Sequence, residues 1–330
     1  NTVGPEMSEF IEAIRKYGSK RIIAGDYKKY DLRMPAQLTL AAFKVLIRMA
    51  KEFGYSERAL TIMRGVATDI CFPVIMYNGD LIQVYGSNPS GQNLTVYINS
   101  IVNSLQMRCC FYSRYDASVP FRDAVSLGTY GDDYKGSVNE AYGDFNNIYI
   151  TKFLGDHGQT VTAPDKTSEI VAYLEDEDAD FLKRKNVFNP YLGVYHGALD
   201  EDSITKSLLN KTDPKISDKE LAGQVLDGAS REYWFHGETK FNKMQELLFD
   251  VAKRAEVEHL CCMLTKSYGD VTVEYCKRYG LPIPDVFAHL DKDAEPPDRS
   301  QGDPLSRDDE KLVPPSVGIM LEKPNNPGGI

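Results

Sequence analysis

The spacing of apolar residues changes character repeatedly along this chain, and each change marks an element. Phe10, Ile11, Ile14 and Tyr17 recur at helical spacing and predict a helix over 6–17, ended by Gly18. The apolar run 21–26 reads as a short buried strand that delivers Asp26 at its end. Residues 38–53 form an amphipathic helical pattern between Pro35 and Gly54, and a further helical piece starts at Ser56. Strand-like runs at 71–77 and 80–85 flank Asn78-Gly79, a preferred two-residue hairpin turn. A loop over 86–91 leads into a long apolar helix over 94–112. Runs 124–129 and 134–138 enclose Tyr130-Gly131-Asp132-Asp133, which reads as a hairpin with two adjacent carboxylates at its tight turn. Beyond it, 142–154 is helical and 155–158 is a turn. Strand-like runs follow at 161–166 and 181–188, separated by the acidic run Glu175-Asp176-Glu177-Asp178, which reads as a solvated loop. Residues 201–280 are mainly helical, over 218–226, 239–266 with a break, and 271–279. From Leu281 onward stand nine of the 17 prolines, which predict an extended tail. The expected class is α+β, an antiparallel sheet flanked by helices and followed by a helical region.

A chain of 330 residues supports one large domain or two to three subdomains, and 42% hydrophobic content predicts a folded protein. The net charge of -10 argues against a general nucleic-acid binder. That charge is uneven. Residues 285–330 hold 10 acidic and 5 basic residues, which is half of the net charge, so the remainder can contain a local basic channel. The six cysteines form no C-x-x-C pair, and no histidine stands at ligand spacing from them. They read as reduced core residues, without a disulfide or zinc site. The five histidines take no role, and Tyr233, Trp234 and Phe235 read as core. No apolar run reaches the length of a bilayer span, and no signal peptide is present.

Chemistry enters through two strands. Asp26 ends one of them, and the Gly-Asp-Asp turn follows 106 positions later at Asp132. Between them, a Ser-Gly loop opens a helix with Thr95 and Asn99 on one face. Carboxylates brought together from separate strands repel unless a cation neutralises them, and hard oxygen ligands suit Mg²⁺. Two such ions form the clamp for in-line phosphoryl transfer.

In order and wording these segments resemble a picornavirus-like RNA-dependent RNA polymerase, over its palm and thumb. Asp26-Tyr27-Lys28-Lys29-Tyr30-Asp31 resembles motif A. Ser90-Gly91-Gln92-Asn93-Leu94-Thr95 with Asn99 resembles motif B, and Tyr130-Gly131-Asp132-Asp133 motif C. Ala163-Pro164-Asp165-Lys166 resembles motif D, and Phe181-Leu182-Lys183-Arg184 motif E. The match is firm over 20–189 and extends to the thumb by position.

The resemblance implies a palm over 1–195 with a small fingers-like insertion at about 55–88, a helical thumb over 196–280 and a tail over 281–330. It implies RNA-templated RNA synthesis, with Asp26, Asp132 and Asp133 holding two Mg²⁺ ions; Mn²⁺ suits the same ligands. Asp31, Thr95 and Asn99 are expected to read the ribose 2′-hydroxyl. Ser90 and Gly91 are expected beside the template and nascent pair, Lys166 as the acid for pyrophosphate, and Lys183 and Arg184 at the primer. Implied partners are RNA template and primer, NTPs, a protein primer and other viral replication proteins, in host cytoplasm at membrane-borne replication complexes. Only some twenty residues precede motif A, where the family has a large fingers region, so a fragment with little activity alone is expected. A non-catalytic palm and thumb remnant that binds RNA or a partner stays open. A reverse transcriptase shares the palm, but the D-x4-D pattern and Asn99 favour ribonucleotides.

Overall fold

In the computed structural model the described residues are 4–88, 91, 93–209 and 215–292. The chain divides into unit 1–290 and unit 291–330, and most of the second lies outside the described residues, as does most of the expected tail.

Helix α1 (Glu6–Ile14) continues as a 3-10 turn to Tyr17 and stops at Gly18 with φ 95°. Strand β1 (Ile22–Tyr27) follows, then α2 (Ala36–Glu52), which starts after Pro35. The Ser56 hydroxyl accepts from Ala59 N–H and caps α3 (Glu57–Cys71). Strands β2 (Val74–Tyr77) and β3 (Asp80–Gln83) form the expected hairpin, with left-handed Asn78 and Gly79 at its turn. Then come α4 (Thr95–Tyr112), the single turn α5 (Phe121–Ala124), β4 (Val125–Tyr130) and β5 (Asp133–Val138). The helix expected from 142 begins five residues later, as α6 (Asn147–Asp156), where the Asn146 side chain caps Tyr149 N–H. Only Val161–Thr162 of the run 161–166 pairs, as β6.

The sheet order is β4-β5-β1-β6, with antiparallel neighbours. Strand β1 is central, and both of its faces are buried. Ile23 and Tyr27 meet the main core with Phe43, Ile98, Val102 and Phe111, while Ile22 and Ala24 meet Ala179 on the other side. A second core gathers Trp234, Tyr233 and Phe235 with Phe241, Leu248 and Tyr268. It is built by β7 (Arg184–Asn189), β8 (Val194–Leu199), α7 (Glu201–Leu209), α8 (Asp218–Trp234), α9 (Glu238–Arg254) and α10 (Tyr268–Tyr279). Strand β8 is not among the expected elements, whereas α7 falls within 201–280, expected to be mainly helical.

Three further expectations need correction. The acidic run 175–178 is not a solvated loop throughout, because Asp176 is 2% exposed. Its carboxylate lies 2.5 Å from Arg15 Nη2, 2.9 Å from Lys135 Nζ and 2.8 Å from Asn186 Nδ2. Burial pushes this carboxyl up, but Lys135, Asn186 and Arg15 outweigh it and hold the group below its ordinary range. The run 181–188 is not one strand. Phe181 and Arg184 exchange both backbone hydrogen bonds around left-handed Leu182 and Lys183, each with φ 56°. The cysteines are all free, but Cys109 and Cys262 are exposed and not core.

Candidate active site

The sheet register assembles the site. Strand β1 pairs Gly25 with Tyr134, so one step further Asp26 comes level with Asp133. Glycine is required at 25: a Cβ there would lie 2.6 Å from the Tyr134 hydroxyl and 2.8 Å from Val161. The β4–β5 loop is two residues, Gly131 and Asp132, between the pair Tyr130 and Asp133. Gly131 has φ 63° at the first central position, where L residues are strained and glycine is not.

The three carboxylates act on one another. Burial pushes the Asp133 carboxyl up to about 6, helped by the charges of Asp132 and Asp26. The Leu182 amide N–H of the left-handed turn opposes that rise. Asp132 is also raised, by burial first and then by Asp26. Lys166 Nζ lies 2.8 Å from Asp26 Oδ2, and this pair raises the lysine above its ordinary range. Hard oxygen donors and like charge that one lysine offsets only in part fit a divalent cation. Among the described residues, no three His, Cys, Asp or Glu side chains are drawn together closely enough to hold one as they stand.

The other expected residues fall into two groups. Asp31 opens a 3-10 turn after β1, and its carbonyl accepts from Asn88 N–H. Asn99 is buried, and its side-chain oxygen accepts from Asn88 Nδ2 at 2.5 Å. Thr95 is the first residue of α4. These three therefore gather around α4 and the end of β1. Gly91 has φ 96°, and Ser90 lies outside the described residues. Lys183 is exposed on its turn. Arg184 is engaged elsewhere: its guanidinium bonds Glu232 on α8 at 2.9 and 3.1 Å and the Gly197 carbonyl at 2.7 Å. It works as a strut between β7 and α8.

Two residues that the motifs did not single out hold the acidic turn. The Asn103 Nδ2 lies 3.2, 3.0 and 3.3 Å from the carbonyls of Gly131, Asp132 and Asp133. Its Oδ1 accepts from the hydroxyl of Tyr27, the neighbour of Asp26. Ser100 Oγ accepts from Gly131 N–H at 2.8 Å. The signal was available, since Thr95, Asn99 and Asn103 recur every fourth residue on one helix face.

A family model described as viral RNA-dependent RNA polymerase matches residues 1–248. The chain belongs to the viral RNA-dependent RNA polymerase family. It is 27% identical over 289 residues to the replicase polyprotein of Drosophila C virus, covering 83% of this chain and 16% of that polyprotein. It is 27% identical over 270 residues to the replicase polyprotein of Cricket paralysis virus, covering 77% of this chain and 15% of that one. Its fold is similar to the Sicinivirus 3Dpol RNA-dependent RNA polymerase, with TM-score 0.64 and 16% identity, over 83% of this chain and 54% of that chain. The α+β architecture, an antiparallel sheet with flanking helices and a helical second core, is thus that of a polymerase palm and thumb. The chain spans about half of that polymerase and a smaller share of the polyproteins.

Proposed function

We propose that this chain carries the catalytic palm (about 1–195) and the thumb (about 196–280) of an enzyme that copies RNA from an RNA template in positive-strand virus replication. The observation behind this reading is the register that sets Asp26 level with Asp133, beside a turn held from α4. Asp26 and Asp132, supported by Asp133, would hold two divalent cations, Mg²⁺ or Mn²⁺. Two such ions, held by Asp26 and Asp132, would supply Lewis acidity toward the primer 3′-hydroxyl and offset triphosphate charge.

The chain's own residues orient the reactants. Asp31 offers an acceptor to the ribose 2′-hydroxyl. The Asn99 oxygen is engaged by Asn88, so Asn99 offers its amide hydrogens, and Thr95 completes the contact. The primer 3′-hydroxyl gives up its proton to water, and its oxygen bonds the α-phosphorus as the bond to pyrophosphate breaks. Lys166, kept protonated beside Asp26, gives its proton to the departing oxygen. Lys183 meets the primer backbone, and Arg184 fixes the turn that presents it. Ser90 and Gly91 lie by the template. RNA, NTPs, a protein primer and other replication proteins are the partners, in the host cytoplasm at membrane-borne replication complexes.

Poly(U) synthesis on poly(A) with an oligo(U) primer tests this reading. The chain is assayed alone and joined to whatever polypeptide precedes it in its reading frame. Synthesis by the joined protein that Asp132→Ala abolishes is the expected result, with little synthesis by the chain alone. A folded joined protein that binds RNA without extending it would move the reading to a non-catalytic remnant.

A further inference from the structure

Along the edge strand β4, away from the carboxylates, three cations line a concavity of about 360 Å³. Lys16 comes from the turn after α1, Arg108 from α4 and Arg122 from α5. Among the described residues, no Asp or Glu lines this concavity.

Arg108 is the built part. Its guanidinium lies over the Phe121 ring, 4.5 Å from the centroid. Nη1 donates to the Ser104 carbonyl at 3.0 Å and to Ser104 Oγ at 2.5 Å. Burial lowers its pKa, and the nearby charge of Arg122 lowers it further. The walls are tied together. Tyr17 Oη donates to the Arg122 carbonyl at 2.9 Å, and Tyr112 Oη accepts from Phe121 N–H at 3.2 Å. The sequence thus holds a half-buried arginine against a second cation, with its fork stacked in place. That arrangement costs free energy unless an anion enters.

A second concavity of about 340 Å³ shares Ser104 and Arg108 and reaches Ser100 and Thr129. Ser100 is the residue whose hydroxyl holds Gly131 N–H. Ser100, Ser104 and Arg108 follow one another on one face of α4, so the two concavities lie in line from the acidic turn toward the cations. Ser100 and Arg108 are about 12 Å apart along α4 at its rise per residue.

We propose that this groove binds the phosphodiester backbone of single-stranded RNA, with the Arg108 fork on one phosphate and Arg122 and Lys16 beside it. The planar fork matches a phosphate bidentately. An elongated groove open toward the catalytic turn suits a strand better than a lone anion. The proposal rests on the RNA-polymerase reading above, but it concerns residues outside the catalytic carboxylates.

The test is fluorescence anisotropy of labelled oligo(U) on the whole chain across a salt series, with Arg108→Gln, Arg122→Gln and the double variant. Each lost cation should lower the slope of log affinity against log salt by about 0.7, the single-strand value. Arg108→Lys keeps the charge, so the slope should stay while affinity falls. Thermal melting of each variant separates loss of fold from loss of binding, and Arg108→Lys serves if Arg108→Gln fails to fold. Wild-type binding with unchanged slopes in folded variants would overturn the groove and leave the polymerase reading intact. Wild-type protein that binds no oligo(U) at low salt would overturn the groove, while the polymerase reading stands or falls on extension by the joined protein. Competition by pyrophosphate, with a UpU dinucleotide binding as well as the longer strand, would replace the strand by a small anion.

Discussion

Two hairpins in this molecule obey the same local rule and meet opposite fates. The β2–β3 hairpin turns at Asn78-Gly79, and the β4–β5 hairpin turns at Gly131-Asp132. Every residue of β2 and β3 is exposed, including Met76 at 77% and Leu81 at 74%. In β4–β5 the turn is gripped by Ser100 and Asn103, and the stem carries a buried lysine paired with a buried aspartate. A turn sequence decides that a chain reverses. What surrounds it decides whether the reversal is a rigid platform.

The largest expected effect breaks the platform from below. Asp176→Ala would leave Lys135 buried without its partner and should cost about 3–5 kcal/mol in urea unfolding. Replacing both, as Lys135→Met with Asp176→Leu, should recover part of that loss, since Arg15 and Asn186 still lose their acceptor. If the double variant is as unstable as the single, the pair is not the cause.

Next comes acid, which strikes a third hairpin, β7–β8. His196 is 3% exposed, and burial lowers it to about 4. The Asn189 amide 3.2 Å from Nε2 suits the neutral ring. Between pH 6.5 and 4 the unfolded state binds a proton that the folded state does not, so this contribution is complete above 6.5 and is lost on acidification. The loss should approach about 3 kcal/mol, and His196→Gln should flatten that part of the stability profile.

Asn103→Leu comes third. It keeps similar bulk but strands the carbonyls of 131–133, at a cost of about 1–3 kcal/mol. Primer extension should fall further than stability explains, while Tyr27→Phe, which removes only the Oδ1 partner, should cost less.

The smallest effect tests the open hairpin. Met76→Thr with Leu81→Thr should change stability by no more than about 0.5 kcal/mol for each substitution. A drop well beyond that would mean that another surface covers β2–β3 in solution, and sedimentation of the variant would detect the change.

The legible parts of this protein were local. Asn78-Gly79 and Gly131-Asp132 announced their turns, α2 its apolar face and α4 its long apolar run. The motif order announced which carboxylates to watch. The stretch 181–188 misled because no Gly, Asn or Pro marks a reversal near its start, whereas Leu182 and Lys183 take a left-handed turn that only their surroundings stabilise.

By itself the sequence determined the reversals, the helix faces and the family, because periodicity, turn chemistry and motif order are written in neighbouring residues. Only the tertiary structure decided that Asp176 is buried while Glu175 and Glu177 are not, that Asn103 grips the acidic turn, and that Arg184 braces α8. Each of these depends on partners tens of positions or more away along the chain. The stability of a buried polar group lies in the partner that satisfies it, and no local pattern names that partner.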